Sequence, residues 1–289
     1  MSDLTDAVAA LDTQVRHALA TGDQAGLEVL GYGEISLVVA LETGEGRFAC
    51  KRLPRFDDDA SLARYTVVLG DYLTALGEAG IEAVPSELVR VPGPEVISYC
   101  VQPALDPASL GPVIAGGDGA DDFLGEVVET TAGAVGDRLG VDAQISNWAR
   151  VDSRLVYLDV TTPLLRDATG AERADLGLFL ASLPWALRGP VRRFLLDDIL
   201  RTYYDPRRTL LDLTANLSKE RLDSAVPSTL DVVNTVVDPP VTADEVRAYY
   251  ARDARMWALL QRLRRVDRGW QRHVRRRTYP FLLPPDIDR

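Results

Sequence analysis

Apolar residues recur every three or four positions through Leu4, Val8, Leu11, Val15 and Leu19, and the run stops near Gly22. That spacing predicts a leading helix over 3–20. The pattern then changes to short apolar runs at 26–31, 35–41 and 47–53, separated by a Gly-x-Gly turn and by Thr43-Gly44-Glu45-Gly46. Such runs, punctuated by glycine, read as three strands of an antiparallel meander. Leu62, Tyr65, Leu69, Tyr72 and Leu76 next fall on one helical stripe, with acids just before it and Gly80 as its stop. This predicts a second helix with one buried face and a first turn suited to the helix dipole. Two further strands, 87–91 and 95–101, flank the turn Pro92-Gly93-Pro94.

Residues 103–122 are rich in Pro, Gly and Asp and read as a linker. Beyond it, Phe123, Val127, Val128, Thr131, Val135 and Leu139 trace a helix closing at Gly140, and "RLVYLD" up to Asp159 is a short apolar strand. From about 171 to 279 the spacing is mostly helical, interrupted by prolines. The expected fold is therefore α+β with two lobes. Residues 1–102 form a small antiparallel-sheet lobe with one long helix besides the leading one, 103–122 a hinge, and 123–289 a mostly helical lobe containing the loop 140–163.

The chain has 289 residues, 46% of them hydrophobic, enough for a sizeable core. No apolar run of about 18 residues is present, and acids stand where a secretory leader needs basic residues, so a cytoplasmic location is expected. Cys50 and Cys100 each sit inside an apolar strand and read as small core residues. With only His17 and His273, a histidine-built zinc centre or a Ser/His/Asp triad lacks material. The net charge is −11, which disfavours nucleic acid and anionic membranes as partners and suits a cationic small molecule. Asp212 to Asn216, "DLTAN", reads as a capped turn, and the arginine run from Arg262 to Arg277 as a solvated helix face. Of 32 basic residues only Lys51 and Lys219 are lysines. Each lysine is therefore worth examining singly, because a tight site can demand a compact ammonium in place of a planar guanidinium.

Three groups of residues carry chemistry. Gly31, Gly33 and Ser36 lie between two strands, an arrangement whose backbone N–H groups can fold over a polyphosphate. Ala49 and Lys51 share one face of the next strand, leaving room for a flat ring beside a cation. Asp142, Asn147 and Asp159 supply a carboxylate, an amide and a second carboxylate around one strand. A carboxylate can orient an attacking hydroxyl, and hard oxygens can hold a divalent ion on phosphates.

Taken in order, these features resemble the protein-kinase-like superfamily over about residues 25–165. The nearer likeness is to its aminoglycoside phosphotransferase and choline kinase branch, because "LTALGEAGIEAVPSEL" looks like that group's helix-to-strand passage and Asn147 and Asp159 are closely spaced. The resemblance implies transfer of the γ-phosphoryl of ATP to a small-molecule hydroxyl with Mg²⁺; the acidic charge suits an amino-sugar or aminoglycoside-like acceptor. It implies a phosphate lid at Gly31, Gly33 and Ser36, Lys51 on the α- and β-phosphates beside Ala49, and Gln102 in the hinge against adenine. It implies Asp142 as catalytic base, with Asn147 and Asp159 as metal ligands. Gly140 stands where the family has histidine, Val160-Thr161 follow Asp159, and Leu69 stands near the place of the helix glutamate that pairs with the lysine. These departures motivate an alternative, a catalytically impaired pseudokinase that binds nucleotide or acts as a scaffold.

Overall fold

The computed structural model describes residues 2–32, 37–180, 183–194 and 196–276, together with Tyr279 and Phe281. The fold is the α+β, two-lobed layout expected from the sequence. Helix α1 (Ser2–Thr21) precedes the strands β1 (Val29–Tyr32), β2 (Leu37–Thr43) and β3 (Gly46–Arg52). Helix α2 (Asp59–Glu78), β4 (Glu82–Ala83), β5 (Glu87–Arg90) and β6 (Ser98–Pro103) complete the first part. Five of the strands form an antiparallel sheet in the order β1-β2-β3-β6-β5.

Alternation along the strands divides the side chains between two cores. Val39, Cys50, Tyr99 and Val101 face α1, where Val8, Leu11, Val15 and Leu19 close over them. Burying four aliphatic side chains contributes about 1.5–3 kcal/mol each, the main reason α1 stays docked. Asp12 of α1 is also buried there, taking hydrogen bonds from Arg52 Nε at 2.9 Å and from the Tyr99 hydroxyl at 2.9 Å, and pairing with Arg16. Burial pushes its pKa up, but the two guanidinium groups outweigh that and hold it below the usual carboxylate value.

The five residues of the α2 stripe are all buried, and they face the second core. That core continues without a break into the helical part, through Val141, Ile145, Trp148, Tyr157, Leu164 and Leu213. The helical part contains α3 (Gly111–Ala115) and α4 (Ala120–Ala134), then β7 (Trp148–Val151) and β8 (Arg154–Tyr157). Six helices follow: α5 (Leu176–Leu180), α6 (Trp185–Phe194), α7 (Leu196–Tyr204), α8 (Pro206–Lys219), α9 (Val226–Val236) and α10 (Ala243–His273). Strand β4, from the sheet lobe, pairs in parallel with β8 in a three-stranded sheet ordered β4-β8-β7. The two lobes therefore share a sheet as well as a core.

Three local readings change. The helix expected to run to Gly140 ends at Ala134, because Val135 turns extended (φ −72°, ψ 132°) and Leu139 instead bridges to Leu165. Gly133 and Gly136 weaken helix at that point. "DLTAN" is not a turn but the middle of α8, where Asn216 Nδ2 donates to the Asp212 carbonyl at 2.9 Å and the Tyr249 hydroxyl donates to Asp212 Oδ1 at 2.8 Å. Of the arginine run within α10 only Arg262 is exposed; Arg265, Arg268 and Arg272 are half-buried, and Arg264 is buried, with its guanidinium 5.8 Å from the Trp257 ring.

Residues 103–122 include α3, which packs on the loop that follows α4. A Cβ built on Gly111 would lie 2.1 Å from the Ile145 carbonyl oxygen and 2.8 Å from that of Trp148. Only glycine allows that approach. We expect Gly111→Ala to lower stability by about 2–3 kcal/mol through overpacking. Gly125→Ala in α4, where the added carbon meets nothing within 4 Å, should be neutral or slightly stabilising. Urea unfolding midpoints of the two variants check this.

Candidate active site

Strand β3 sets the first side chain of the site. Cys50 is fully buried toward α1, so its neighbours Ala49 and Lys51 face the other way, into the cleft between the lobes. Lys51 Nζ donates to Asp159 Oδ1 at 2.7 Å, joining residues from the two lobes. Their side chains are 16% and 27% exposed. Asp159 Oδ1 also accepts from the Thr161 hydroxyl at 2.8 Å and from the Thr161 backbone N–H at 3.3 Å. Burial raises the pKa of Asp159, yet the Lys51 charge and these hydrogen bonds win, and the carboxyl is held below its ordinary value.

A tight hairpin places the rest. Asp152 (φ 48°) and Ser153 (φ 62°) occupy the two left-handed positions of the turn between β7 and β8, the arrangement whose twist matches paired strands. Trp148 pairs with Tyr157, and one step further out the Leu158 N–H donates to the Asn147 carbonyl at 2.8 Å. Asn147 and Asp159, twelve residues apart in sequence, thus emerge side by side at the open end of the hairpin. Asn147 Nδ2 donates back to the Asp142 carbonyl at 3.0 Å, and the Gln144 N–H donates to Asp142 Oδ1 at 3.3 Å. The loop 142–147 is thereby closed on itself. Among the described residues, neither Asn147 Oδ1 nor Asp159 Oδ2 takes a hydrogen bond.

Three tyrosines missed at the sequence level hold this loop from behind. The Tyr72 hydroxyl donates to the Gly140 carbonyl at 3.1 Å and the Tyr157 hydroxyl to the Asp142 carbonyl at 3.2 Å. On the same face of α2 the Tyr65 hydroxyl donates to the Thr161 carbonyl at 2.8 Å. Two of the three lay on the predicted stripe, where they registered only as apolar bulk. Gly140 has no space for a side chain: its Cβ would meet Leu164 Cβ and the Tyr203 carbonyl at 3.0 Å and Tyr204 Cε1 at 3.1 Å. Leu69 is buried among apolar neighbours, and the nearby carboxylate, Asp71, pairs with Arg173 instead of with Lys51.

Of the other expected site residues, Gln102 lies within β6 opposite Ala49. Its side-chain amide donates to Ser86 Oγ at 3.0 Å and to the Leu158 carbonyl at 2.9 Å, the residue before Asp159. Gly31 lies inside β1, one residue before its end and beside a register shift. Gly33 and Ser36 lie outside the described residues. Lys219, singled out only as a rare lysine, donates from the end of α8 to Gln144 Oε1 at 2.9 Å. Lys51 thus contacts Asp159 and Lys219 contacts the loop 142–147.

The model of the "Family of unknown function (DUF6206)" matches residues 10–268. The chain belongs to this family. Among curated proteins none matches its sequence. The structure of this family member is similar to the PknI kinase domain of Mycobacterium tuberculosis, with 15% identity and a TM-score of 0.36, over 80% of this chain and 96% of that one.

The Lys51–Asp159 pair has a definite pH signature. Because the folded-state pKa of Asp159 is depressed, its stabilising contribution is present above the unfolded carboxylate value, about 4, and is lost as pH falls through the folded value. In Lys51→Met the Lys51 charge no longer opposes burial and only the Thr161 hydrogen bonds remain to do so, so the depression is weakened. The stability gap between wild type and variant should be full at neutral pH and close below about pH 4. Denaturant unfolding from pH 7 to pH 2.5 reads this directly, and a gap independent of pH would refute the ion pair.

Proposed function

We propose that the cleft transfers the γ-phosphoryl group of ATP to a hydroxyl of a small molecule. The observation that carries this reading is the Lys51–Asp159 contact, which sets a cation from the sheet lobe against a carboxylate whose hairpin also presents Asn147. Lys51 would meet the α- and β-phosphates, with Ala49 leaving space for a ring and Gly31, Gly33 and Ser36 covering the phosphates. The backbone around Gln102 would face adenine. Asp142, held by Gln144, Asn147 and Tyr157, would orient the acceptor hydroxyl. As the acceptor oxygen bonds to the γ-phosphorus, the bond from that phosphorus to the β-γ bridging oxygen breaks, the bridging oxygen leaves with ADP, and the hydroxyl proton passes to Asp142.

The donor set fits a hard divalent ion. Asn147 Oδ1 and Asp159 Oδ2 are oxygens without a described protein partner, as Mg²⁺ requires. No cluster of three or more His, Cys, Asp or Glu side chains is placed to hold a metal among the described residues, so phosphate oxygens would have to complete the shell. Mg²⁺ held there would offset charge on the phosphate oxygens. No helix among the described residues is long and apolar enough to cross a membrane. The acidic chain suits a cationic acceptor of the amino-sugar or aminoglycoside kind.

A second reading, nucleotide binding without transfer, is favoured by one observation: Lys51 is engaged by Asp159 itself, and α2 presents Leu69 where a carboxylate would compete for it.

Both readings predict that millimolar ATP raises the unfolding temperature, and more so with Mg²⁺, because a ligand that binds only the folded state stabilises it by mass action. The absence of any shift would remove both. Transfer further predicts ADP release stimulated by at least one member of a panel of amino sugars and aminoglycosides. Asp142→Ala should lower that turnover by about 10²–10⁴-fold while lowering stability by only about 1 kcal/mol through the lost Gln144 hydrogen bond. Turnover unaffected by the substitution would exclude Asp142 as the base, and binding with no turnover across the panel would favour the second reading.

A further inference from the structure

The second lysine is on a different element from the first and has a different kind of partner. Lys51 faces a carboxylate. Lys219 is half-buried in the last turn of α8, and its ammonium meets the side-chain amide oxygen of Gln144 at 2.9 Å. Among the described residues no carboxylate lies within ion-pair distance of it, in a chain with 43 acidic residues. A cation near the end of a helix gains from the dipole, but a side chain directed to solvent gains the same. The dipole does not account for an ammonium turned inward onto a loop. A half-buried ammonium whose described partner is a neutral amide keeps donors with which it can take an anion. An ammonium has three N–H donors, and Gln144 uses one.

The place of that anion follows from Gln144. This residue lies two positions after Asp142 and three before Asn147, inside the closed loop, and its N–H donates to Asp142 Oδ1. The packing of α8 on the turn 145–147 fixes this geometry. A reacting phosphorus must lie near the hydroxyl that Asp142 orients and near oxygens held at Asn147. Lys219 touches the loop that carries Asp142 and Asn147 from the helical lobe, whereas Lys51 meets Asp159 from the sheet lobe.

We propose that Lys219 binds the terminal phosphate of the nucleoside triphosphate, so that one lysine holds the two inner phosphates and the other the group being transferred. This rests on the phosphotransfer reading of the cleft. It also accounts for the compositional rarity: each ammonium sits where a compact donor must share a confined polyphosphate with loop backbone.

The test compares Mg²⁺·ATP and Mg²⁺·ADP binding by isothermal titration calorimetry in the full chain, for wild type, Lys219→Met and Lys219→Gln. Wild type should prefer ATP. Lys219→Met should weaken ATP about tenfold and leave ADP within about twofold, the scale of one lost charge-assisted hydrogen bond. Lys219→Gln keeps a donor for Gln144 but no charge, and should behave like Lys219→Met. Equal weakening of both nucleotides, no weakening of either, or an ATP preference restored by Lys219→Gln would each overturn the proposal, the last by reducing Lys219 to a support for the loop. If wild type binds neither nucleotide, the phosphotransfer reading falls first, and inorganic pyrophosphate becomes the probe. Pyrophosphate binding that is lost in Lys219→Met would keep an anion site at Lys219, and absence of binding would end both ideas.

Discussion

The ammonium of Lys51 reaches from the sheet lobe to the other side of the cleft, and its hold on Asp159 organises much around it. A half-buried carboxylate is unfavourable alone. Here it remains ionised because a cation from another element and a threonine hydroxyl face it. The pair in turn fixes the direction of the segment leaving β8, which Tyr65 and the Asp71–Arg173 pair fasten along α2. Lys51 lacks a helix carboxylate because the helix face opposite is committed to packing. Leu69 and its stripe neighbours belong to the core that both lobes share.

That shared core changes what the division into lobes means. A linker between independent units would leave each with its own apolar interior. In this chain β4 adds to β8, α2 packs against residues beyond 140, and Gly111 touches the backbone at Ile145 and Trp148. The separate interior is the one between the five-stranded sheet and α1, sealed by Asp12 and its two arginines.

Much of this was legible in the sequence, for physical reasons that can be stated. The α2 stripe was readable because burial on one helix face requires a 3.6-residue period, and the same five residues are the buried ones. Strand β3 was readable because alternation separates Cys50 from Ala49 and Lys51. What escaped were features carried by polar atoms at the ends of apolar side chains. The hydroxyls of Tyr65, Tyr72 and Tyr157 act at long range on backbone carbonyls, and nothing local betrays such a bond. Strand β7 was missed because Trp148–Val151 is short, and its hairpin turn is Asp-Ser instead of the expected Asn-Gly. "DLTAN" misled because Asp and Asn favour caps and turns in isolation, whereas in α8 their side chains find partners inside the lobe.

Gly140 has the widest structural consequence. With its niche filled by Leu164 and Tyr204, the loop carbonyls at 140 and 142 depend on hydroxyls that arrive from α2 and β8. The loop is thus hung from its neighbours as well as closed by its own Asn147 and Gln144 bonds to Asp142. Any drift of α2 relative to the helical part would be transmitted to Asp142 through one rigid phenol and one peptide unit.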